Sequence, residues 1–168
     1  MIPAYFWKRI PPRWRPTLLR LGLNWFPAYR ATGARLIHVS DDLRRIVVRL
    51  PLKRATKNGA GTLFGGSLYS ATDPIYALLL AANLGPDYIV WDKAASIRYR
   101  KPGREALTAE FVIDAEEVRA VRDAVARDGS CDRSYSVAFV DREGVVHVEI
   151  EKTVYVACKQ HYKAKTGA

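Results

Sequence analysis

Cysteine and histidine are scarce in this sequence, which limits the chemistry available to it. Its 168 residues include two cysteines, Cys131 and Cys158, and three scattered histidines. Neither cysteine has a partner at the spacing of a zinc or redox motif, so we expect two reduced structural thiols and no metal site. The nucleophile motif G-x-S-x-G is also missing, which argues against a Ser-His-Asp hydrolase.

Long hydrophobic runs are missing as well. Near the middle of the chain the longest purely apolar run covers residues 75–82, whereas a membrane-spanning helix needs about 20 apolar residues. Prolines and arginines interrupt the N-terminal positions, so they do not resemble a secretory signal. We therefore predict a cytoplasmic protein. The length and the 49% hydrophobic content predict one compact domain.

Acidic residues are absent from the first 40 positions, which hold seven lysines and arginines. These positions therefore contribute seven of the ten positive charges in the formal net charge of +10. The first 30 residues mix arginines with tryptophans, and Pro16 predicts a helix over about 17–25. Such a segment is either an anchor at a membrane surface or a helix packed on the protein's own sheet with its arginines in solvent, and the second is favoured. No nucleic-acid motif accompanies the charge, so we expect no nucleic-acid partner.

The periodicity of the remaining sequence predicts an α+β protein. From residue 65 to 84 a helix-length pattern is apolar nearly all round, as in a buried helix. Segments with the two-residue period of strands flank it at 35–40, 44–52, 87–102, 106–118, 133–141 and 145–157. This order predicts an antiparallel curved sheet wrapped around a long central helix.

Three units follow from these patterns: an N-terminal helical extension at 1–30, the sheet domain at 31–158 and a basic tail at 159–168. Within the domain, the charged stretch 116–128 is compatible with a short helix or with the polar end of a strand. The pattern does not decide between them.

Asp73 is the only charged side chain in the apolar segment 58–86. A carboxylate there either caps a helix, with Pro74 at the first helical position, or works in catalysis. Four glycines lie at 59–66, and the N–H of Gly65 suits a developing oxyanion. On one continuous helix Gly65 and Asp73 would lie about 12 Å apart along the axis. That separation favours a site shared between antiparallel helices of a dimer.

The string N-x5-F-G-G-x6-D, from Asn58 to Asp73, and the later segment IRYRKPGREALTAEFVI resemble hotdog-fold acyl-CoA thioesterases of the phenylacetyl-CoA and acyl-CoA thioesterase 13-like branch. The strings GTLFGGSLYSATDPIYALLL and VWDKAASIRYRKPG resemble more closely an uncharacterised hotdog family related to them. The resemblance implies hydrolysis of an acyl-CoA or acyl carrier protein thioester by a homodimer or a dimer of dimers. It implies no cofactor, with coenzyme A present only as part of the substrate. Asp73 would activate water, the Gly65 amide would hold the oxyanion, and Asn58 would orient the water.

The resemblance also implies a set of substrate-binding residues. Phe64, Gly66, Leu68 and Tyr69 would lie along the acyl tunnel and its entrance. Asp92 would take the place of a serine or threonine that the family has at the start of the next strand. Arg98, Arg100 and Lys101 would bind the phosphates of coenzyme A. For Asp92 the ordinary alternative is a solvated turn or an ion pair with its neighbour Lys93. Phe64 replaces the family's histidine, and Pro74 removes a helical hydrogen-bond donor beside Asp73. A non-catalytic protein that binds acyl-CoA or lipid is therefore the alternative function.

Overall fold

Six antiparallel strands form a single sheet in the computed structural model, which describes residues 10–166. The strands are β1 Arg35–Val39, β2 Arg45–Leu50, β3 Tyr88–Tyr99, β4 Leu107–Val112, β5 Ser130–Val140 and β6 Val146–Cys158. They lie side by side in the order β1-β2-β4-β5-β6-β3, so β1 and β3 are the two edges. Every strand that the two-residue period predicts is present.

One face of the sheet forms the core, because successive side chains on a strand point to opposite faces. On β2, Ile46, Val48 and Leu50 are fully buried and alternate with more exposed residues. Helical segments cover this face or flank it: α1 Arg15–Trp25, α2 Pro27–Ala31, α3 Gly65–Ser70, α4 Ile75–Leu84, α5 Ala115–Asp128 and α6 Lys159–Thr166. The predicted α+β arrangement, with a sheet around a central helical layer, is confirmed.

The central helical layer is interrupted, which corrects the prediction of one helix over 65–84. Helix α3 ends at Ser70 and helix α4 begins at Ile75, with a turn over 71–74 between them. Pro74 has no N–H to donate, and its ring conflicts with the carbonyl four residues earlier in a continuous helix. The peptide bond between Asp73 and Pro74 is cis. Asp73 therefore lies within the break.

Within the predicted N-terminal extension, Pro16 lies in the first turn of α1 as expected, and residues 1–9 lie outside the described residues. Leu19 and Leu23 are buried on the side of α1 that faces β1. From α2, the side chain of Tyr29 is buried, and its hydroxyl donates a hydrogen bond to the carbonyl of Ala71 at 3.0 Å. The extension is thus tied to the break in the central helix.

Two further segments, 116–128 and 159–166, are helical. The undecided stretch 116–128 is helical: α5 is capped by the Asp114 carboxylate, which accepts from the N–H of Glu117 at 2.6 Å, and ends at Gly129 with φ +78°. Within the predicted basic tail at 159–168, residues Lys159–Thr166 form helix α6. This short basic helix continues directly from β6.

Two tyrosine hydroxyls that bind carbonyls around α3 allow a matched test. Tyr29 binds Ala71 and is 3% exposed, whereas Tyr99 binds the carbonyl of Gly65, also at 3.0 Å, and is 54% exposed. We expect Tyr29→Phe to lower the free energy of unfolding by about 1–2 kcal/mol, because a buried carbonyl loses its donor. Tyr99→Phe should cost less than about 0.5 kcal/mol, since water replaces its hydroxyl. Urea denaturation measures both, and equal losses would contradict this account.

Candidate functional site

Nine of the eleven predicted site residues line one of two pockets of the protomer, and Asp92 and Arg98 line neither of the two. The first, here called the glycine pocket, has a volume of about 420 Å³ and is lined in part by Asn58, Phe64, Gly65, Leu68 and Lys101. The second, called the aspartate pocket, measures about 380 Å³ and is lined by Phe26, Ala28, Tyr29, Thr32, Tyr69, Ser70, Asp73 and Pro74. Gly65 and Asp73 therefore line different pockets of the same chain.

In the glycine pocket, the Asn58 side chain organises its own loop. Its Oδ1 accepts hydrogen bonds from the N–H groups of Ala60 and Thr62 at 3.0 and 3.1 Å, and its Nδ2 donates to the Thr62 hydroxyl at 3.0 Å. Both ends of the amide are thus engaged within five residues of chain. Within one protomer, Asn58 shapes the loop that leads to Gly65.

Gly65 is the first residue of α3, so its N–H has no acceptor within the helix. Tyr99 lies against it: the tyrosine hydroxyl donates to the Gly65 carbonyl, and a Cβ added at Gly65 would lie 2.8 Å from that hydroxyl oxygen. Gly66 is similarly covered by the Phe64 ring, which a Cβ would meet at 2.5 Å. Close approach of aromatic rings is the local reason for both glycines.

Asp73 lies in the turn between α3 and α4 and is not a helix cap. The N-cap position of α4 is Pro74, and no side chain caps it. The Asp73 side chain is 61% exposed in the protomer, so the prediction of a carboxylate inside a buried helix is wrong. Its Oδ1 lies 3.8 Å from the Nζ of Lys152.

Lys152 is the residue that links the predicted carboxylates. It lies on β6, and its side chain is only 1% exposed. The Nζ donates a 2.6 Å hydrogen bond to Oδ2 of Asp92 and lies 5.8 Å from the centre of the Tyr69 ring. Asp73 and Asp92, from the helix break and from β3, therefore contact the same ammonium. The expected pairing of Asp92 with Lys93 does not form, because Lys93 binds Asp132 at 2.6 Å.

Asp92 is the buried carboxylate of the pair, with 16% of its side chain exposed. Burial raises its pKa, and the nearby Asp73 carboxylate raises it as well, while Lys152 opposes the shift. Its second oxygen, Oδ1, is buried and has no hydrogen-bond partner in the described part of the chain. A bulge of β3 between Asp92 and Ala94 shifts the register against β6 at this point.

The predicted phosphate-binding cluster is only partly assembled. Arg100 and Lys101 line the glycine pocket, but Arg98 is not part of its wall. Arg100 also donates two hydrogen bonds to Oε2 of Glu149, at 3.0 and 2.7 Å, so its charge is partly neutralised. Among residues 10–166, no three His, Cys, Asp or Glu side chains converge as metal ligands would.

Sequence reasoning missed Lys152 and Tyr99. A signal for Lys152 is present in β6, where it falls on the inward series Val148, Ile150, Lys152, Val154. A lysine on the buried side of a strand needs an acidic partner. Tyr99 has no such signal, because an exposed aromatic residue at the end of a strand is common.

Comparisons with known proteins agree on the fold. The family model described as "Domain of unknown function (DUF4442)" matches residues 18–156, and no curated protein matches. A protein of unknown function from Pseudomonas aeruginosa, described as a probable thioesterase, is 20% identical with a TM-score of 0.77, over 85% of this chain and 96% of its own. A protein of unknown function from Chlorobaculum tepidum is 18% identical with a TM-score of 0.70, over 86% and 97%. A thioesterase from Haemophilus influenzae is 17% identical with a TM-score of 0.64, over 83% and 88%.

At these identities the likeness concerns the fold, which is the predicted hotdog fold. No helix among the described residues is long and apolar enough to cross a membrane.

Two lysine–aspartate pairs of equal 2.6 Å separation allow a controlled test of the buried ammonium: Lys152 with Asp92 and Lys93 with Asp132. We expect Lys152→Met to lower the free energy of unfolding at neutral pH by about 3 kcal/mol, because it leaves the buried Asp92 carboxylate unpaired. Lys93→Met should cost about 1 kcal/mol or less, because its pair is half exposed. Chemical denaturation measures both losses.

The Lys152→Met loss should shrink on acidification. The folded-state pKa of Asp92 lies above its unfolded value, and removing the ammonium raises it further. The folded state therefore takes up a proton first as pH falls, and the penalty disappears below the unfolded pKa. A loss that is constant or grows with falling pH would show that Asp92 is not the group affected.

Proposed function

We propose that this chain, which belongs to the DUF4442 family, hydrolyses acyl thioesters at a site shared by two protomers. The observation that carries the proposal is the Asp73 carboxylate, which stands at the helix break, opens into a pocket and is flanked by a buried ammonium. The fold shared with a structure described as a thioesterase supports the same reaction class.

The reaction consumes one water and yields a carboxylic acid and a thiol. The Asp73 carboxylate takes a proton from water as the water oxygen bonds to the thioester carbon. The carbonyl oxygen becomes an oxyanion, to which the Gly65 N–H donates a hydrogen bond. Collapse of this intermediate breaks the C–S bond, and the departing thiolate receives the proton held by Asp73.

Two protomers are needed because Gly65 and Asp73 line different pockets of one chain. The β3 edge supports such pairing: it is twelve residues long, and within the described residues no strand pairs with its outer side. Unpaired backbone groups along an edge strand favour pairing with another chain. The exposed Trp91 and Tyr99 on this strand are apolar surface that a partner would cover.

Lys152 acts in this proposal as a positioning residue. Its hydrogen bond to Asp92 fixes the ammonium, which then attracts the Asp73 carboxylate into the aspartate pocket. Because the ammonium is buried, this attraction is screened less than that of a surface lysine. Asn58 holds the loop that presents Gly65, so it supports the oxyanion donor through the backbone.

The substrate would place its acyl group beside Phe64, Leu68 and Tyr69 and its carrier toward Lys101. Lysine and arginine suit the phosphates of coenzyme A or the phosphopantetheine of an acyl carrier protein. Lys101 lines the glycine pocket, and Arg98 and Arg100 lie near it in sequence. The acyl group itself would decide affinity through the apolar area that it buries.

A non-catalytic acyl-CoA or lipid-binding protein is the second candidate. Phe64, which is 55% exposed, stands where the related thioesterases have histidine, and it widens the apolar wall of the glycine pocket. An apolar wall favours retention of an acyl chain without any contribution to hydrolysis.

Asp73→Asn tests the proposed base against a matched control. We expect turnover of acyl-CoA substrates to fall by about 10² or more, with little change in KM, because the variant loses the proton acceptor but keeps its shape. Asp87→Asn removes the same charge from an exposed residue in the turn between α4 and β3 and should leave turnover unchanged. Thiol release reports both. Wild-type protein that binds acyl-CoA without releasing thiol would favour the second candidate instead.

Mixed dimers test whether the site is shared. Gly65→Pro removes the N–H that is the proposed oxyanion donor. Proline is tolerated at the first position of a helix, which Gly65 occupies. The half-exposed Tyr99 side chain can move away from the added ring. Co-expression of differently tagged Asp73→Asn and Gly65→Pro chains should restore about half of the wild-type activity in purified heterodimers, because one of the two sites is then intact. Heterodimers as inactive as both parents would place the two groups within one chain.

A further inference from the structure

The solvent side of α1, extended by its N-cap residue Trp14, carries an apolar stripe that the described part of the fold leaves exposed. Trp14, Leu21 and Trp25 are 52%, 46% and 69% exposed, and Leu18 between them is half-buried. At 100° per residue these four positions lie within about 60° of one another. The residues that α1 buries lie about 180° away; they are Pro16, Leu19 and Leu23. The helix therefore has two apolar faces, of which the core uses one.

Arginines border this stripe. The Arg13 guanidinium lies 6.0 Å from the centre of the Trp14 ring, and that of Arg30 lies 5.8 Å from the Trp25 ring. Each end of the stripe thus pairs a tryptophan with a cation, and the two tryptophans are about 16 Å apart along the helix.

A basic cleft runs beside the stripe. It has a volume of about 220 Å³, and its wall includes Arg13 from the turn before α1, Thr17 and Arg20 from α1, and Ile37 and His38 from β1. Asp41 is the one acidic residue among the described residues that line it. Two arginines and a hydroxyl suit the phosphate of a lipid headgroup.

We propose that this face of α1 docks on the surface of an anionic lipid bilayer, with Trp14, Leu21 and Trp25 at the level of the headgroups. Tryptophan favours this interfacial region, and arginine beside it is attracted by anionic headgroups. A second copy of the chain fits less well, because the first 40 residues hold seven basic and no acidic side chains. Two such faces would repel each other across a twofold axis.

Docking by this stripe would also affect how substrate reaches the proposed active site. The last aromatic residue of the stripe leads directly to Phe26, which is 37% exposed and lines the aspartate pocket with Asp73. A docked protomer would present that pocket to the lipid surface, where long acyl chains partition. This consequence rests on the proposed thioester hydrolysis, whereas the docking itself does not.

Vesicle co-sedimentation of the full chain tests the docking without any activity assay. The wild type should bind vesicles that contain about 30% phosphatidylserine and should remain in solution with pure phosphatidylcholine. Trp14→Ser/Trp25→Ser should abolish binding, and Arg13→Gln/Arg20→Gln should weaken it roughly 30-fold. Arg119→Gln/Arg142→Gln removes the same charge from exposed positions elsewhere and should change binding by less than about threefold.

Three results would overturn the proposal. Wild-type protein that stays in solution with anionic vesicles, or a double tryptophan variant that binds them as well as the wild type, would exclude docking by this face. A double tryptophan variant of half the wild-type mass in light scattering, without lipid, would assign the face to a second copy. The six substituted side chains are exposed, and circular dichroism verifies that each variant is folded. Loss of thioesterase activity alone would leave these binding results unaffected.

Discussion

A lysine ammonium at the edge of the hydrocarbon core is the constraint around which this site is organised. Lys152 lies on β6 between the fully buried Ile150 and Val154, where an unpaired charge would be very costly. The β3 bulge at Asp92 lies where that carboxylate meets the ammonium, and the interruption of the central helix brings Asp73 within 3.8 Å.

The N-terminal extension belongs to this arrangement. Tyr29 satisfies a carbonyl at the helix break, and Phe26 lines the pocket that contains Asp73. The family match begins at residue 18, within α1, so the helix that carries the apolar stripe is largely shared with the family. The hydrogen bond from Tyr29 to Ala71 joins α2 to the turn at 71–74.

The sheet could be predicted because each strand carries its own two-residue period, which needs no knowledge of tertiary contacts. The central helix could not be bounded correctly, since a single proline barely alters an apolar pattern although it removes a backbone donor. Asp73 and Gly65 could be selected from their spacing and resemblance, and their roles remain a prediction. Lys152 was missed because its partners lie on β3 and on the helix break, which only the folded chain brings together.

Three features of the protomer bear on the proposed dimer. Asp73 is largely exposed, Gly65 lines a different pocket, and Asp92 Oδ1 is buried without a donor among the described residues. Asp92 lies on β3, the edge whose outer side pairs with no described strand. A second copy along that edge would exclude water from Asp73 and could supply a donor to Asp92. Lower local polarity would in turn strengthen the attraction between Lys152 and both carboxylates, so assembly and charge placement would reinforce each other.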